Sequence, residues 1–304
     1  MALQDPVGEK MVLDILGYIF STTLVYSTPI LIAAIGELIG QRSGVLNLGI
    51  EGTMLMGSFM SYFASIYLGN LYLGVLFGII TGIVLGLVIG SSTILLGRSQ
   101  IVTGIGMNML GIGLSSFLFV KTITDVFGKV PPAGTIPPIL GISPFTFLAL
   151  ILVPLVWFFL YRTTAGLKVR AVGENPEAAD VAGINVFKVR FSCLLFATSL
   201  AGLAGSSLAI GTTGLFTHNM TAARGFLAIS VVILSNWSPI KSLFGALLFG
   251  LVYSIQSVFQ AYGVPVPWQV TLTFPYIVAI IALLVASRRA RAPASLMVPF
   301  LRKR

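Results

Sequence analysis

Residues 71–97 read LYLGVLFGIITGIVLGLVIGSSTILLG, and no charged side chain interrupts them. A run of about 20 apolar residues is long enough to cross the hydrocarbon core of a bilayer as a helix. The pattern repeats outward from this segment. Charge is absent from Gly52 to Gly97, Ser99 to Val120, Val130 to Tyr161 and Ser242 to Ser287. With 56% hydrophobic and 9% charged residues, the chain lies far from the ~25% charged content of soluble domains. The pattern predicts an all-α polytopic membrane protein, one transmembrane domain over residues 1–304 with about nine spans (8–10). They are expected near 17–40, 46–66, 71–97, 101–120, 141–161, 189–211, 222–237, 242–262 and 268–287.

The net charge is +9, and its distribution is one-sided. With alternate loops on opposite sides, every Lys and Arg except Lys10, Lys121, Lys129 and Arg224 falls on the same side. The positive-inside rule makes that side cytoplasmic. The C-terminus is then cytoplasmic and the N-terminus outside, with no clean signal peptide preceding the first span. The basic tail 288–304 reads as an anchor against anionic membrane lipid. Basic residues scattered over loops make no nucleic-acid footprint, so no nucleic-acid partner is expected.

Catalytic and cofactor signatures are missing. No GxxxxGK[ST], HExxH, CxxC or pair of histidines occurs. The chain is therefore read as no enzyme, without an ATPase site of its own and without metal or cofactor. The lone His218 reads as a solvated loop residue, and the lone Cys193 permits no intrachain disulfide. Among span carboxylates only Glu37 and Glu51 appear, both expected toward the cytoplasmic end. That is little for a proton- or ion-coupled carrier. The chain reads as a pathway whose driving force comes from elsewhere.

Two spans have unusual composition. The third carries Gly74, Gly78, Gly82, Gly86 and Gly90, a stripe at every fourth residue that lets another helix approach closely. The second opens as RSGVLNLGIEGTMLMG over 42–57, with four glycines, Asn47 and Glu51. Glycine costs about 1 kcal/mol in a helix interior, and a charge at mid-depth costs at least ~2.5 kcal/mol. The segment is expected to be broken or bent, unless Glu51 lies near the interface and pairs with Arg42. The seventh segment, RGFLAISVVILSNWSPIKSLFGALLFG from Arg224, echoes this order, a short segment and then a glycine-bearing span. The two copies would run in opposite directions, as in an inverted-repeat core. Trp237 and Trp268 fall at span ends, where aromatic belts are usual.

The longest polar stretch joins the fifth and sixth spans, RTTAGLKVRAVGENPEAADVAGINVFKVR over 162–190. Its centre has the signals of a two-turn helix. Asn175 can cap, Pro176 suits the first position, Glu177 and Asp180 favour the positive end, and Gly183 fits the stop. So short a helix is ordered only if held between membrane helices or gripped by a partner.

Residues 42–57, 166–190 and 224–239 (RGFLAISVVILSNWSP) resemble the membrane permease subunits of bacterial ABC importers. The likeness spans roughly 15–290 and is strongest to the simple-sugar and nucleoside permeases of the ribose-type and branched-chain-amino-acid-type branch. It implies a multi-pass permease of the bacterial inner (cytoplasmic) membrane that forms the path for a nucleoside or simple sugar. It implies three partners: a cytoplasmic ATP-binding subunit, a second permease subunit, homologous or identical, and an external substrate-binding lipoprotein. Segment 163–188 would be the coupling loop. Its helix, Glu174, Asn175, Pro176, Glu177, Ala178, Ala179, Asp180, Val181, Ala182 and Gly183, would sit in a groove of the ATP-binding subunit, with Ala178, Ala179, Val181 and Ala182 as its apolar face.

For such solutes, Asn47, Glu51 and Asn108 are candidates to line or border the path, with Asn108 near mid-depth among glycines. A buried amide is costly unless hydrogen-bonded. An interhelical hydrogen bond accounts for each equally well. Phe226 is the aromatic candidate in the short seventh segment. Two other classes stay open from the residues alone: an ion-coupled secondary transporter of a small polar solute, and a quinone-interacting subunit of a membrane complex.

Overall fold

The computed structural model describes residues 6–261, 267–287 and 290–300. Its order is α1 (Pro6–Arg42), α2 (Ile50–Leu68), α3 (Leu71–Gly90), α4 (Gln100–Phe119), a single turn α5 (Asp125–Phe127), α6 (Pro144–Arg162), α7 (Thr164–Glu174), α8 (Pro176–Val181), α9 (Val186–Leu208), α10 (Arg224–Leu234), α11 (Pro239–Ala261) and α12 (Trp268–Ser287). Wide π turns extend α3, α4 and α9 to Leu95, Thr124 and Thr213. No strand is formed among the described residues. One isolated bridge, Ile139 to Ile142, turns the chain into α6.

Six helical stretches are long and apolar enough to cross a membrane: Ile15–Arg42, Leu71–Leu95, Gln100–Phe127, Pro144–Arg162, Val186–Thr213 and Pro239–Ala261. The other three expected spans correspond to α2, α10 and α12. Helix α2 is less apolar because protein, not lipid, surrounds it: fourteen of its residues, Glu51 and four serines or threonines among them, are buried. Helix α10 has only 11 residues. Helix α12 is apolar over Gln269–Val285.

The core is built on α1, α2 and α9. Every residue of α1 from Ser27 to Gln41 is buried. The glycine stripe of α3 lies on α9 and α2: Gly78 meets Ser206, Gly82 the carbonyl of Thr198, and Gly90 the ring of Phe191. Any side chain there would displace backbone or neighbouring side chains, so the stripe serves packing.

Arg42, Arg162, Arg170, Arg190 and Arg291 gather at one end of the bundle, which we call the basic end. There Arg42 donates to the Tyr161 hydroxyl, the guanidinium of Arg170 stacks on the Tyr161 ring, and the Arg291 amide bonds Asn236 Oδ1. Segment 163–188 holds two helices where one was expected. The extra one, α7, is capped by Thr163, whose hydroxyl accepts from the Gly166 amide. Its two glycines hid it from a propensity reading. They permit close contact instead, Gly166 with Leu160 and Gly173 with the Arg42 carbonyl.

Of the tail's basic residues, on which the expected lipid anchor rests, all but Arg291 lie outside the described residues. Of 288–304, residues 290–300 are described, and they dock on protein. The Ser295 amide bonds the Gly173 carbonyl at 2.9 Å, and the Met297 amide bonds the Gly44 carbonyl at 3.2 Å. Arg190 ties them together, donating to Ser43 O, Val298 O and Ser295 Oγ. Gly44, at φ +93°, makes the turn that allows this.

Candidate functional site

Two helices begin inside the bundle, not at its ends. The chain leaves α1 at Arg42 and stays non-helical through Gly49. Polar side chains hold this segment. Leu46 N donates to Gln100 Oε1 at 2.8 Å, Asn47 N to Glu37 Oε1 at 3.0 Å, and Gly49 N to Asn47 Oδ1 at 3.0 Å. Helix α2 then starts beside Asn108, whose Oδ1 accepts from Gly52 N at 2.8 Å and whose Nδ2 donates to Leu48 O at 2.7 Å. From Gln100 to Asn108 the rise along α4 is about 12 Å, so α2 begins well inside the basic end.

Helix α10 starts at the same place. Glu51 Oε1 accepts from Ala223 N at 2.8 Å and Oε2 from Gly225 N at 2.6 Å. The far end of α10 reaches the basic end, where Arg42 donates to the Trp237 carbonyl at 2.9 and 3.1 Å. Eleven helical residues rise about 16 Å, roughly half of the ~30 Å hydrocarbon core. Helix α2 runs the other way: Tyr62 donates to Pro131 O and Tyr67 to Thr122 O. The two helices share a start and run to opposite ends.

Neither helix has an N-terminal side-chain cap of its own. An uncapped helix start leaves N–H groups without partners, which is costly away from water. Each is capped from another helix, α2 by Asn108 and α10 by Glu51. The positive ends of both dipoles converge on the Glu51 carboxylate, where a negative charge is favoured. Glycines make the approach possible. A Cβ on Gly225 would lie 2.8 Å from Glu51 Cα, and one on Gly52 2.6 Å from the Met107 carbonyl oxygen.

The structure thus gathers Asn47, Glu51 and Asn108 around the start of α2, all buried. Glu51 makes no pair with Arg42, because the unwound segment carries it away from the basic end. Both polar groups of Asn108 are engaged with backbone, while Asn47 Nδ2 has no partner. Phe226 stands apart from the three, 44% exposed on α10. Trp237 is no belt residue: it is 3% exposed and donates from Nε1 to Gln41 Oε1 at 2.7 Å. The side chain of Trp268 lies outside the described residues. Arg224, expected on the outer side at the start of the seventh segment, is the first residue of α10, its guanidinium carbon 4.9 Å from the Tyr253 ring centre. Sequence reasoning does not single out Glu37, Gln41 and Gln100 as supports. The one available signal is the Glu37–Gln41 spacing of four in an apolar run, which puts both on one helix face; Gln41 Nε2 donates to Glu37 Oε1 at 3.1 Å.

Replacing Asn108 with leucine would strand Gly52 N and Leu48 O, at about 1–3 kcal/mol each. Asn108→Asp keeps an acceptor for Gly52 N but sets an oxygen, and a buried charge when ionised, against the Leu48 carbonyl. Thermal unfolding of the purified protein should place both variants below wild type. Equal midpoints would mean that Asn108 does not hold the start of α2.

At the basic end, α8 forms as its residues dictate. Asn175 Oδ1 accepts from Ala178 N at 3.0 Å, and Gly183, at φ +82°, ends the turn. One member of the expected apolar face is turned inward. Ala179 is 4% exposed and packs with Val172, Val186 and Phe300 from the tail. Ala178, Val181 and Ala182 face out, Val181 at 91% exposure. A helix of this length cannot present four apolar residues on one side when the chain's own tail covers part of it.

Comparison with known proteins gives the class of this helical bundle. Residues 19–284 match the family described as branched-chain amino acid transport system / permease component. The chain belongs to this family, within the simple-sugar and nucleoside ABC transporter permeases, and is a multi-pass membrane protein. A putative glucose ABC transporter permease protein, TsgC13, from Haloferax volcanii is 35% identical, covering 78% of this chain and 76% of its own. The guanosine ABC transporter permease protein NupQ of Bacillus subtilis is 33% identical, covering 96% and 98%. The nucleoside ABC transporter permease protein NupC of Lactococcus lactis is 32% identical, covering 93% and 96%. No solved structure matches the chain.

Proposed function

We propose that this chain is the pathway-forming permease subunit of an ATP-driven importer for a nucleoside or simple sugar, with ATP hydrolysed by a separate cytoplasmic subunit. The observation that carries the reading is the meeting of the α2 and α10 starts at Glu51. Half-helices that begin at mid-depth and run to opposite sides are how transporters build a site at the interface of inverted repeats. On this reading the three apolar segments beyond the six long spans complete a count of about nine. Asn47, Glu51 and Asn108 border the path by fixing the half-helix starts. Phe226, on the uncovered side of α10, faces the path or a second permease subunit. Full-length similarity to guanosine and nucleoside permeases supports the substrate class.

The basic end is cytoplasmic by the positive-inside rule, and the Glu174–Gly183 segment is the contact with the ATP-binding subunit. An external binding protein delivers substrate to the opposite face. Both oxygens of Glu51 are occupied by backbone amides, so this carboxylate is fixed in place as a helix cap. Uptake of labelled guanosine, uridine, ribose and glucose by cells with and without the chain tests the reading. Loss of nucleoside or sugar uptake in its absence is expected. Unchanged uptake of all four would refute it.

A further inference from the structure

Beside the start of α10 lies a half-open chamber of about 370 Å³, within the size range of small-molecule sites. It lies between α1, α11, α12 and the chain before α10, with Tyr26, Arg224, Tyr253, Gln256, Gln260 and Tyr276 among its walls. Its far wall includes Ala223, whose amide is held by Glu51, so it adjoins the half-helix junction. Three tyrosines, Tyr26, Tyr253 and Tyr276, line it. The Tyr26 and Tyr253 rings lie 5.9 Å apart, and Arg224 stacks on Tyr253. Three buried side-chain atoms here have no hydrogen-bond partner: Oε1 of Gln256, itself 7% exposed, Nε of Arg224 and the Tyr253 hydroxyl. An unpaired amide oxygen and guanidinium N–H at this depth are costly unless something entering the chamber pairs with them.

The walls therefore offer aromatic faces together with a free acceptor, a free donor and a hydroxyl that can serve as either. A nucleobase matches this set. It has a flat π face that stacks on tyrosine or under guanidinium, and its edge carries donors and acceptors side by side. We infer that this chamber binds the base of a nucleoside, with Gln256 Oε1 accepting from an N–H of the base edge and Arg224 Nε donating to a ring nitrogen or carbonyl. This rests on the reading of the chain as a nucleoside or sugar permease, and it selects the nucleoside. By position along α1 and α11 the chamber lies beyond the junction from the basic end, on the side where substrate enters. A solute released from the external binding protein would reach it before the half-helix junction.

The test uses the assembled importer in spheroplasts. Gln260 lines the chamber and is exposed, so Gln260→Cys gives a handle in a chain whose own Cys193 is buried. Labelling by a membrane-impermeant thiol reagent should be slowed by guanosine or adenosine and by the free bases, and left unchanged by ribose and glucose. Gln256→Leu should raise the KM for nucleoside uptake about tenfold, the loss of one hydrogen bond to bound solute. It should leave the thermal midpoint equal or higher, because it removes an unpaired buried group; a merely structural Gln256 would lower it. Protection by ribose or glucose but not by bases, or no protection while nucleoside uptake continues, overturns the inference alone. Absence of both nucleoside and sugar uptake overturns the functional reading and this one with it.

Discussion

Replacing Glu51 with leucine is expected to abolish uptake and to lower the thermal midpoint further than Asn108→Leu does. The carboxylate is 3% exposed and accepts from two backbone amides at the start of α10. Hydrogen bonds to a charged group contribute about 1.5–3 kcal/mol each. Leucine forfeits both and leaves the buried Gly225 N–H and the part-buried Ala223 N–H unpaired. It also leaves the positive end of α10 without its counter-charge. Glu51→Gln separates the contributions. Its amide oxygen can satisfy one N–H, but its NH2 group would then face the other, donor against donor. An intermediate midpoint and reduced uptake are expected. Unfolding of the purified protein and uptake per unit of inserted protein check both. Wild-type values for Glu51→Leu would mean that the two half-helices are held together by packing alone.

The second large effect concerns the proposed contact with the ATP-binding subunit. Val181 is 91% exposed at the end of α8, on the outward side with Ala178 and Ala182. An isolated aliphatic side chain so exposed beside a basic membrane end fits a groove on a partner. Val181→Arg should leave the thermal midpoint unchanged, since the side chain touches little of its own protein. It should cost the permease its ability to retain and stimulate the ATP-binding subunit, with uptake falling in parallel. Ala179→Arg is the contrast. It drives a long cation into the packing of Val172, Val186 and Phe300, so folding should suffer first. If Val181→Arg kept full ATPase stimulation, α8 would be a connector and the contact would lie elsewhere on the basic end.

Much of this was legible in the sequence because it rests on local rules. Uncharged runs located the long helices. Asn175, Pro176 and Gly183 marked the short helix, since capping and left-handed termination depend on residues within a few positions. The glycine and carboxylate density of 42–57 signalled a break. What stayed hidden depends on distant pairs. Nothing near Glu51 in sequence says that its oxygens meet Ala223 and Gly225, 172 and 174 positions away. Arg42 looked like the natural partner only because it is close along the chain. The inward turn of Ala179 depends on Phe300, and the burial of Trp237 on Gln41. Helix α7 escaped because glycines that lower helix propensity are there for close packing against Leu160 and Arg42.

The central claim is that an opening between two half-helices is driven from the basic end by ATP hydrolysed on another chain. Proteoliposomes holding the permease, its second permease subunit and the ATP-binding subunit test it most directly, with external binding protein and labelled guanosine added and ionophores collapsing every ion gradient. The account predicts uptake that requires ATP on the basic side, persists with the ionophores, and is lost with Val181→Arg. Uptake driven by a proton or sodium gradient without ATP would contradict it.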